Sequence, residues 1–273
     1  MTAPSEPLEG PAPGANRRRL VDGSEDLLIG EEPLLLVLGE ARLLTMRTPG
    51  NDADLALGFL LSEGVLAAAG DLEQARFAPG DAAARRPDTL HLQVRGALLP
   101  AAQGRLTRTH EVRPSCGVCG LTDADAILED LPPLLPGVPR VPRGRIDTLR
   151  QAFATLQRTF AATGACHGAA LFAADGAVLG HGEDVGRHNA LDKAIGMAAR
   201  AGHDLTRAIA LLSGRAGFDL VVKCLRLRVP VSLSVSAPSA LAFDLGQAAG
   251  ATLVGFVRAG RAKVYWDGGR LVP

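Results

Sequence analysis

The last third of this chain alternates short apolar runs with helical stretches, and that alternation narrows the choice of fold more than any other feature. Apolar runs at about residues 207–212, 231–235 and 252–257 predict strands, and the stretches at about 217–227 and 239–249 predict helices between them. A parallel strand pair needs a crossover of about a dozen residues or more. The helices supply it, so the pattern predicts a largely parallel sheet with helices on both faces. Upstream, Asp147 is placed to cap a helix whose Leu149, Phe153, Leu156 and Phe160 recur at helical spacing, closed by Gly164. A hairpin follows, with strands Ala169–Ala173 and Ala177–Gly180 about an Asp175-Gly176 turn, and then a helix from Arg187 to Arg200.

Between Asp130 and Gly144 there are prolines at 132, 133, 136, 139 and 142. No helix interior or central strand tolerates that density, which predicts an extended connection over 131–145. Before it, Leu34–Leu38 and Leu43–Arg47 read as strands, and Asn51 or Asp52 can cap a helix that turns Leu55, Phe59 and Leu60 inward and ends at Gly64. Residues 67–89 carry little periodic signal, and His91–Val94 alternates weakly like a strand. The expected organisation is a flexible tail over 1–19 ending in Arg17-Arg18-Arg19, an N-terminal α+β part over 20–130, the connection over 131–145, and a C-terminal α/β domain over 146–273.

The 29 basic and 29 acidic residues cancel, so no global field would hold nucleic acid or an anionic membrane, and any anion site must be local. Uninterrupted apolar stretches such as Leu34–Leu38 are too short to span a bilayer, and residues 1–16 lack the apolar block of a signal peptide. Four cysteines, at 116, 119, 166 and 224, are too few for a disulfide framework in a chain of 273 residues. A reducing cytoplasm is the expected compartment, with thiols available for chemistry.

Ser115-Cys116-Gly117-Val118-Cys119-Gly120 is the most chemically pointed stretch. Two thiols two residues apart can act on one sulfur atom, one holding it while the other attacks or releases it. Thr122 and Asp125 resemble a capping box, which would put the pair just before a helix N-terminus, where thiolate is favoured over thiol. Three readings stay open on these residues alone: structural zinc, a thioredoxin-like redox pair, and a sulfur relay. Zinc lacks a second closely spaced pair, and a redox pair would follow the first strand of a small α/β domain.

His181-Gly182-Glu183-Asp184-Val185-Gly186-Arg187-His188-Asn189-Ala190-Leu191-Asp192-Lys193 crowds charges and glycines at a strand-to-helix junction. Ser213-Gly214-Arg215, Ser236-Ala237-Pro238 and Phe256-Val257-Arg258-Ala259-Gly260-Arg261 all fall at the carboxyl ends of expected strands. In an open α/β sheet those ends share the edge where ligands bind, and helix N-termini there face phosphate. Arg258 and Arg261 flank Gly260 and can grip phosphate, with Arg215 as a third charge, so the expected ligand is phosphorylated and nucleotide-like. Cys166 reads as a small core residue, and His167 reads equally as structural or functional. His181-Gly182-Glu183 matches the H-x-E of zinc deaminases, but the partnering C-x-x-C precedes it in this chain instead of following it.

Taken together these stretches resemble the formate dehydrogenase accessory sulfurtransferase family, FdhD. The likeness runs from about Leu34 to Leu271 and takes in the Thr48–Gly64 run, the S-C-G-V-C-G loop, Thr163-Gly164-Ala165-Cys166-His167, E-D-V-G-R-H-N-A-L-D-K, S-G-R, S-A-P and G-F-V-R-A-G-R. The resemblance implies a sulfurtransferase that accepts sulfur from a cysteine desulfurase as a persulfide. It would pass that sulfur to a bis(molybdopterin guanine dinucleotide) molybdenum cofactor, bound as client, before insertion into formate dehydrogenase. It makes Cys116 the persulfide carrier and Cys119 its helper, and lays the guanine-nucleotide end along Phe256, Val257, Arg258, Ala259, Gly260 and Arg261. It further implies a cytidine-deaminase-like larger domain without zinc chemistry or a permanently bound metal, and a homodimer. The departures are Ala165 and Cys166 in the T-G-G turn and Ala259 where proline is common. The rival from another class is a non-catalytic chaperone for the same cofactor, its C-x-x-C a docking element or metal clip.

Overall fold

The computed structural model describes residues 14–81, 83–96 and 128–273. Strand β1 (Ala15–Arg19) pairs antiparallel with β2 (Glu25–Ile29), so the arginine run expected at the end of a flexible tail is instead part of a hairpin. Arg17 sits opposite Leu27 and donates from Nη1 to Glu25 at 3.0 Å, and such cross-strand partners order a run that looks merely solvated in one dimension. Residues 1–13, the rest of that expected tail, lie outside the described residues.

A four-stranded sheet follows in the order β4-β3-β6-β5, made of β3 (Glu32–Leu38), β4 (Ala41–Arg47), β5 (Leu72–Ala78) and β6 (Asp88–Val94). Leu34, Leu36, Leu38, Leu90 and Leu92 alternate onto one face and meet Leu55, Leu60 and Leu61 of helix α1 (Asp52–Ser62). Asn51 occupies the N-cap position of α1 in the left-handed conformation at φ 57°, without the side-chain bond expected of a cap, and Gly64 follows the helix end at φ 68°. The stretch 67–89, which gave little signal, holds β5 and the start of β6. No residue of β5 is fully buried, so it shows no clean alternation to read.

In the proline-rich connection, β7 (Val141–Pro142) pairs in parallel with β14 (Leu271–Val272) near the C-terminus. Prolines leave carbonyls without matching donors, and the buried Arg270 guanidinium supplies them. It donates to the carbonyls of Val138 (2.7 Å), Leu135 (2.9 Å) and Gly250 (2.6 Å). The single helix expected from Asp147 to Gly164 is two: α2 (Arg145–Leu156) and α3 (Arg158–Thr163), broken at Gln157 with ψ 63°. The break ends the helical phase, so Leu149 and Phe153 point into the core while Phe160 is exposed. Asp147 lies inside the first turn of α2, after an N-cap at Gly144.

The main sheet has six strands in the order β13-β12-β11-β10-β8-β9, and it is mixed where a largely parallel one was expected. Only β10 (Ile209–Leu212) with β11 (Val231–Ser234), and β11 with β12 (Thr252–Arg258), are parallel. The hairpin β8 (His167–Phe172) and β9 (Val178–Asp184) joins antiparallel to β10, and β13 (Arg261–Trp266) closes the other edge antiparallel to β12. Hairpins impose antiparallel pairing on β8 with β9 and on β12 with β13, and β10, entering after α4, runs antiparallel to β8; only helical crossovers give parallel neighbours. Helices do cover both faces. Helices α4 (Arg187–Arg200), α5 (Phe218–Arg226) and α6 (Ala240–Ala248) pack on the face that carries Ala169, Leu171, Ala210 and Leu253. Helix α2 packs on the opposite face, against Phe172, Leu211, Leu233 and Val254.

The N-terminal sheet reaches this body through α1, which crosses α4 at glycines on both sides. A Cβ on Gly58 would stand 1.8 Å from the Asp192 carbonyl oxygen, and one on Gly196 would stand 1.9 Å from that of Asp54. The helices touch backbone to backbone, which only glycine permits at both positions.

Candidate functional site

Cys116 and Cys119 lie outside the described residues, as does the capping box expected at Thr122 and Asp125. The carboxyl edge of the main sheet is described in full. Ser213, at the end of β10, accepts the Gly168 amide proton on Oγ at 2.9 Å and stands 3.5 Å from His167 Nδ1. Ala216, beyond β10, bridges Pro238 beyond β11, and the Phe256 amide donates to the Ser236 carbonyl at 3.0 Å. The three sequence segments expected to converge thus share one edge with His167, Asp184 and the start of α4.

The hairpin of β12 and β13 turns through Ala259 and Gly260, with Gly260 left-handed at φ 66° and its amide on Asp147 Oδ1 at 3.3 Å. Of the six residues expected to hold a nucleotide, Phe256, Arg258, Ala259, Gly260 and Arg261 are exposed, whereas the Val257 side chain is buried among the residues that face α2. Val257 therefore offers backbone alone. Arg258 and Arg261 are direct cross-strand partners. Like charges so placed repel, and an anion between them would relieve that. Phe256 holds φ 49°, a costly backbone for a bulky side chain, while remaining 39% exposed. Its ring lies 6.4 Å from that of Tyr265, with Arg258 5.9 Å from Phe256 and Lys263 Nζ 5.0 Å from Tyr265. Gly255 makes room for this pair, since a Cβ there would meet Tyr265 at 2.8 Å. The surface is aromatic and cationic, suited to a flat ring that carries phosphate.

The crowded Glu183–Lys193 segment is mostly internal. Glu183 receives the Thr159 and Phe160 amides at 2.8 Å each, holding the start of α3. Asp184 is fully buried. It takes the Thr48 amide at 3.0 Å, the Gly186 amide at 2.9 Å and the Lys193 ammonium at 2.7 Å. Lys193 also donates to the Thr48 carbonyl at 2.7 Å, and Asn189 to that of Met46 at 2.7 Å. These residues bind the Thr48 turn, and with it the N-terminal part, to the sheet edge.

Sequence reasoning missed a second network beside it. Lys223 of α5 lies 2.8 Å from Glu63 and 3.0 Å from Asp192, which accepts the Ser62 hydroxyl at 2.8 Å. His188 Nε2 is bonded to Asp219 Oδ2, and Arg187 Nη2 reaches the same oxygen at 3.5 Å. Burial pushes the His188 imidazole down to about 4, with Lys223 and Arg187 opposing the attraction of Asp219. Asp219 and Lys223 sit four apart on the inward face of an amphipathic helix. There they read as ordinary surface charge, and only the fold brings His188 and Glu63 to them.

Cys166 is buried and donates from Sγ to Glu183 Oε1 at 3.2 Å, and Cys224 lies within α5. Burial first, and for Cys166 the Glu183 carboxylate next, pushes both thiols up to about 12, far from the thiolate a sulfur carrier needs. The core reading of Cys166 is the one the structure shows. His167 is half-buried and held below the usual histidine range, chiefly by burial. His181 of the H-x-E lies mid-strand opposite Ala170, and no cluster of three metal-ligating side chains occurs among the described residues. No helix among them is long and apolar enough to cross a membrane.

Comparison with known proteins gives this geometry its context. The model of the FdhD/NarQ family matches residues 29–272. A sulfur carrier protein FdhD from Anaeromyxobacter dehalogenans (strain 2CP-C) is 43% identical over 256 residues, covering 90% of this chain and 88% of its own. The protein of that name from Streptomyces avermitilis is 40% identical over 263 residues, covering 90% and 91%. A crystal structure from Desulfotalea psychrophila, described as that of a formate dehydrogenase accessory protein, has a TM-score of 0.70. It covers 94% of this chain and 98% of its own at 22% identity, and it shows the shared fold. The chain belongs to the FdhD/NarQ family.

Proposed function

We propose that the protein is a sulfur carrier that accepts sulfur from a cysteine desulfurase as a persulfide on Cys116. It hands that sulfur to the molybdenum cofactor, bis(molybdopterin guanine dinucleotide), before insertion into formate dehydrogenase. The observation that carries this reading is family membership over residues 29–272, with relatives named sulfur carrier proteins, in a chain whose Cys116–Cys119 pair offers two thiols for one sulfur. Further support comes from the Arg258–Arg261 pair beside the exposed Phe256 and Tyr265 rings, a fitting berth for the phosphates and guanine of that cofactor.

In the transfer, Cys116 thiolate attacks the outer sulfur of the donor persulfide and becomes Cys116–S–SH, and the donor leaves as thiolate. The cofactor docks by its nucleotide end at Phe256–Arg261, and Cys119 then displaces the carried sulfur from Cys116 toward the metal. The resulting disulfide is reduced by cellular thiols. The reaction belongs in the reducing cytoplasm, with the protein acting as a homodimer whose larger part is cytidine-deaminase-like, as in the family it resembles. The rival reading, a cofactor chaperone with an inert or metal-binding C-x-x-C, needs the same hairpin site and differs only in the cysteines.

Intact-protein mass spectrometry after incubation with a cysteine desulfurase and cysteine separates the two. The native chain gains one sulfur mass and Cys116→Ala does not. Arg261→Ala loads normally but binds guanosine diphosphate more weakly. No gain on the native chain, or full activity with both cysteines replaced, would establish the chaperone.

A further inference from the structure

We propose that His167, Ser213 and Arg187 form a second berth on the carboxyl edge of the main sheet, one that takes the anionic molybdenum–dithiolene end of the cofactor. The proposal deepens the cofactor-binding reading above and rests on it. The hairpin of β12 and β13 takes the nucleotide end and leaves the other end of the molecule to be held elsewhere.

His167 opens β8 directly across from Asp184, the last residue of β9, and α4 starts just after it at Arg187. Strand alternation puts the His167 side chain on the face of Ala169 and Leu171, which α4, α5 and α6 cover. It lies one step beyond that core, half-buried, with Ser213 Oγ 3.5 Å from its Nδ1. Tyr265, which stacks beside Phe256, packs against the same core cluster, so both berths share one face of the sheet. Strands β8 and β12 are separated by three strand spacings, about 14 Å. A dinucleotide whose phosphates sit on Arg258 and Arg261 continues along that edge with its pterin and metal.

The berth is made of donors. Ser213 Oγ already accepts the Gly168 amide proton, so its own proton turns to His167 Nδ1 and the ring carries its proton on Nε2. Among the described residues Nε2 meets no partner. The Arg187 side chain is 36% exposed and makes one long contact, 3.5 Å to an Asp219 oxygen that His188 already holds. Its charge reaches His167: burial first, and Arg187 next, lower the proton affinity of that imidazole and keep it a neutral donor. Helix α4 begins behind Gly186 with no side-chain cap and no carboxylate in its first turn, which adds unmet amides to the same place. The carboxylates around it are engaged, Asp184 by Lys193 and Glu183 by the Thr159 and Phe160 amides. N–H donors beside a half-exposed guanidinium suit a negatively charged group that only accepts hydrogen bonds. A metal carrying thiolate and oxo ligands is such a group.

The test uses the full-length protein and two probes: guanosine diphosphate, which carries the nucleotide end alone, and the complete cofactor released from a molybdoenzyme. Arg187→Gln and His167→Ala should bind guanosine diphosphate as the native chain does. Retained cofactor is read after desalting, as molybdenum per chain and as fluorescence of the oxidised pterin. In both variants it should fall about 10-fold or more, the worth of one charge-assisted hydrogen bond. Arg261→Ala should weaken both probes. If His167→Ala fails to fold, Arg187→Gln still decides, because Arg187 gives up only one long contact and the thermal midpoint reports its folding. Undiminished cofactor retention by Arg187→Gln, or an equal loss of both probes, overturns the proposal. If the native chain binds guanosine diphosphate but retains no cofactor, the cofactor reading itself falls, and this berth falls with it.

Discussion

Lys223 on α5 and Asp192 on α4 are joined inside the core, the ammonium 3.0 Å from each carboxylate oxygen, with Glu63 2.8 Å away on the other side. Burial opposes the charge on Lys223, but the two carboxylates prevail and raise its proton affinity above the ordinary value. Glu63 is held below the usual carboxylate range by the same ammonium, despite its burial. Deleting one member of such a group leaves an uncompensated buried charge. Lys223→Met should therefore destabilise the fold by about 3–5 kcal/mol in urea unfolding. Adding Asp192→Leu should restore part of the loss. Equal stability of Lys223→Met and the native chain would mean that water reaches the cluster.

The α1–α4 crossing predicts a sharp glycine contrast. Gly58→Ala and Gly196→Ala each drive a methyl into backbone and should cost at least about 2 kcal/mol, since neither carbonyl belongs to a flexible side chain that can move. Gly70→Ala, with nothing within 4 Å, should change stability by less than about 0.5 kcal/mol. Thermal midpoints of the three variants decide it.

A pH window follows from His188. Its folded value, about 4, lies below the ordinary 6.5, so between those values the unfolded chain binds a proton that the folded chain refuses. Stability contributed by the neutral ring is full above pH 6.5 and is lost as pH falls toward 4. The loss should be on the order of a few kcal/mol, from the size of that gap. Unfolding midpoints at pH 5 and pH 7 should differ less in His188→Gln than in the native protein. An unchanged difference would assign the window to other groups. The depressed carboxyls of Glu63 and Asp88 act in the same direction, but below the ordinary carboxylate range.

Cysteine reactivity should divide cleanly. Native-state alkylation at pH 8 should leave Cys166 and Cys224 unmodified, because both are buried and their thiols stay protonated. Peptide mapping before and after denaturation checks this. Rapid native labelling of Cys166 would mean that its bond to Glu183 opens readily. Cys166→Ala should load sulfur as the native chain does.

Much of the C-terminal body was legible because its elements obey local rules. The helix Arg187–Arg200 and the strands near 209, 231 and 252 follow from periodicity and glycine punctuation alone. Strand direction was not legible, because alternation of strands and helices is silent about which strands enter by hairpins. The hairpin β1–β2 and strand β5 escaped because their burial is partial and their order comes from cross-strand partners. At the sheet edge, the convergence of Ser213, Pro238 and Phe256 was foreseeable from topology. The pairing of His188 with Asp219 was not, since no spacing rule links positions 31 residues apart on two helices.

The glycine-to-backbone crossing of α1 on α4 also sets a timetable for synthesis. Gly58 leaves the ribosome about 140 residues before Gly196, which at about 5–20 residues per second is a wait of roughly 7–28 s. Throughout that wait one face of α1 has no helix to lie against, and the Asp54 and Glu63 carboxylates lack Arg200 and Lys223, their cationic partners in the fold. The nascent N-terminal half therefore keeps that face of α1 open until α4 emerges, and an abrupt stop in translation anywhere between the two helices would release a chain with it uncovered.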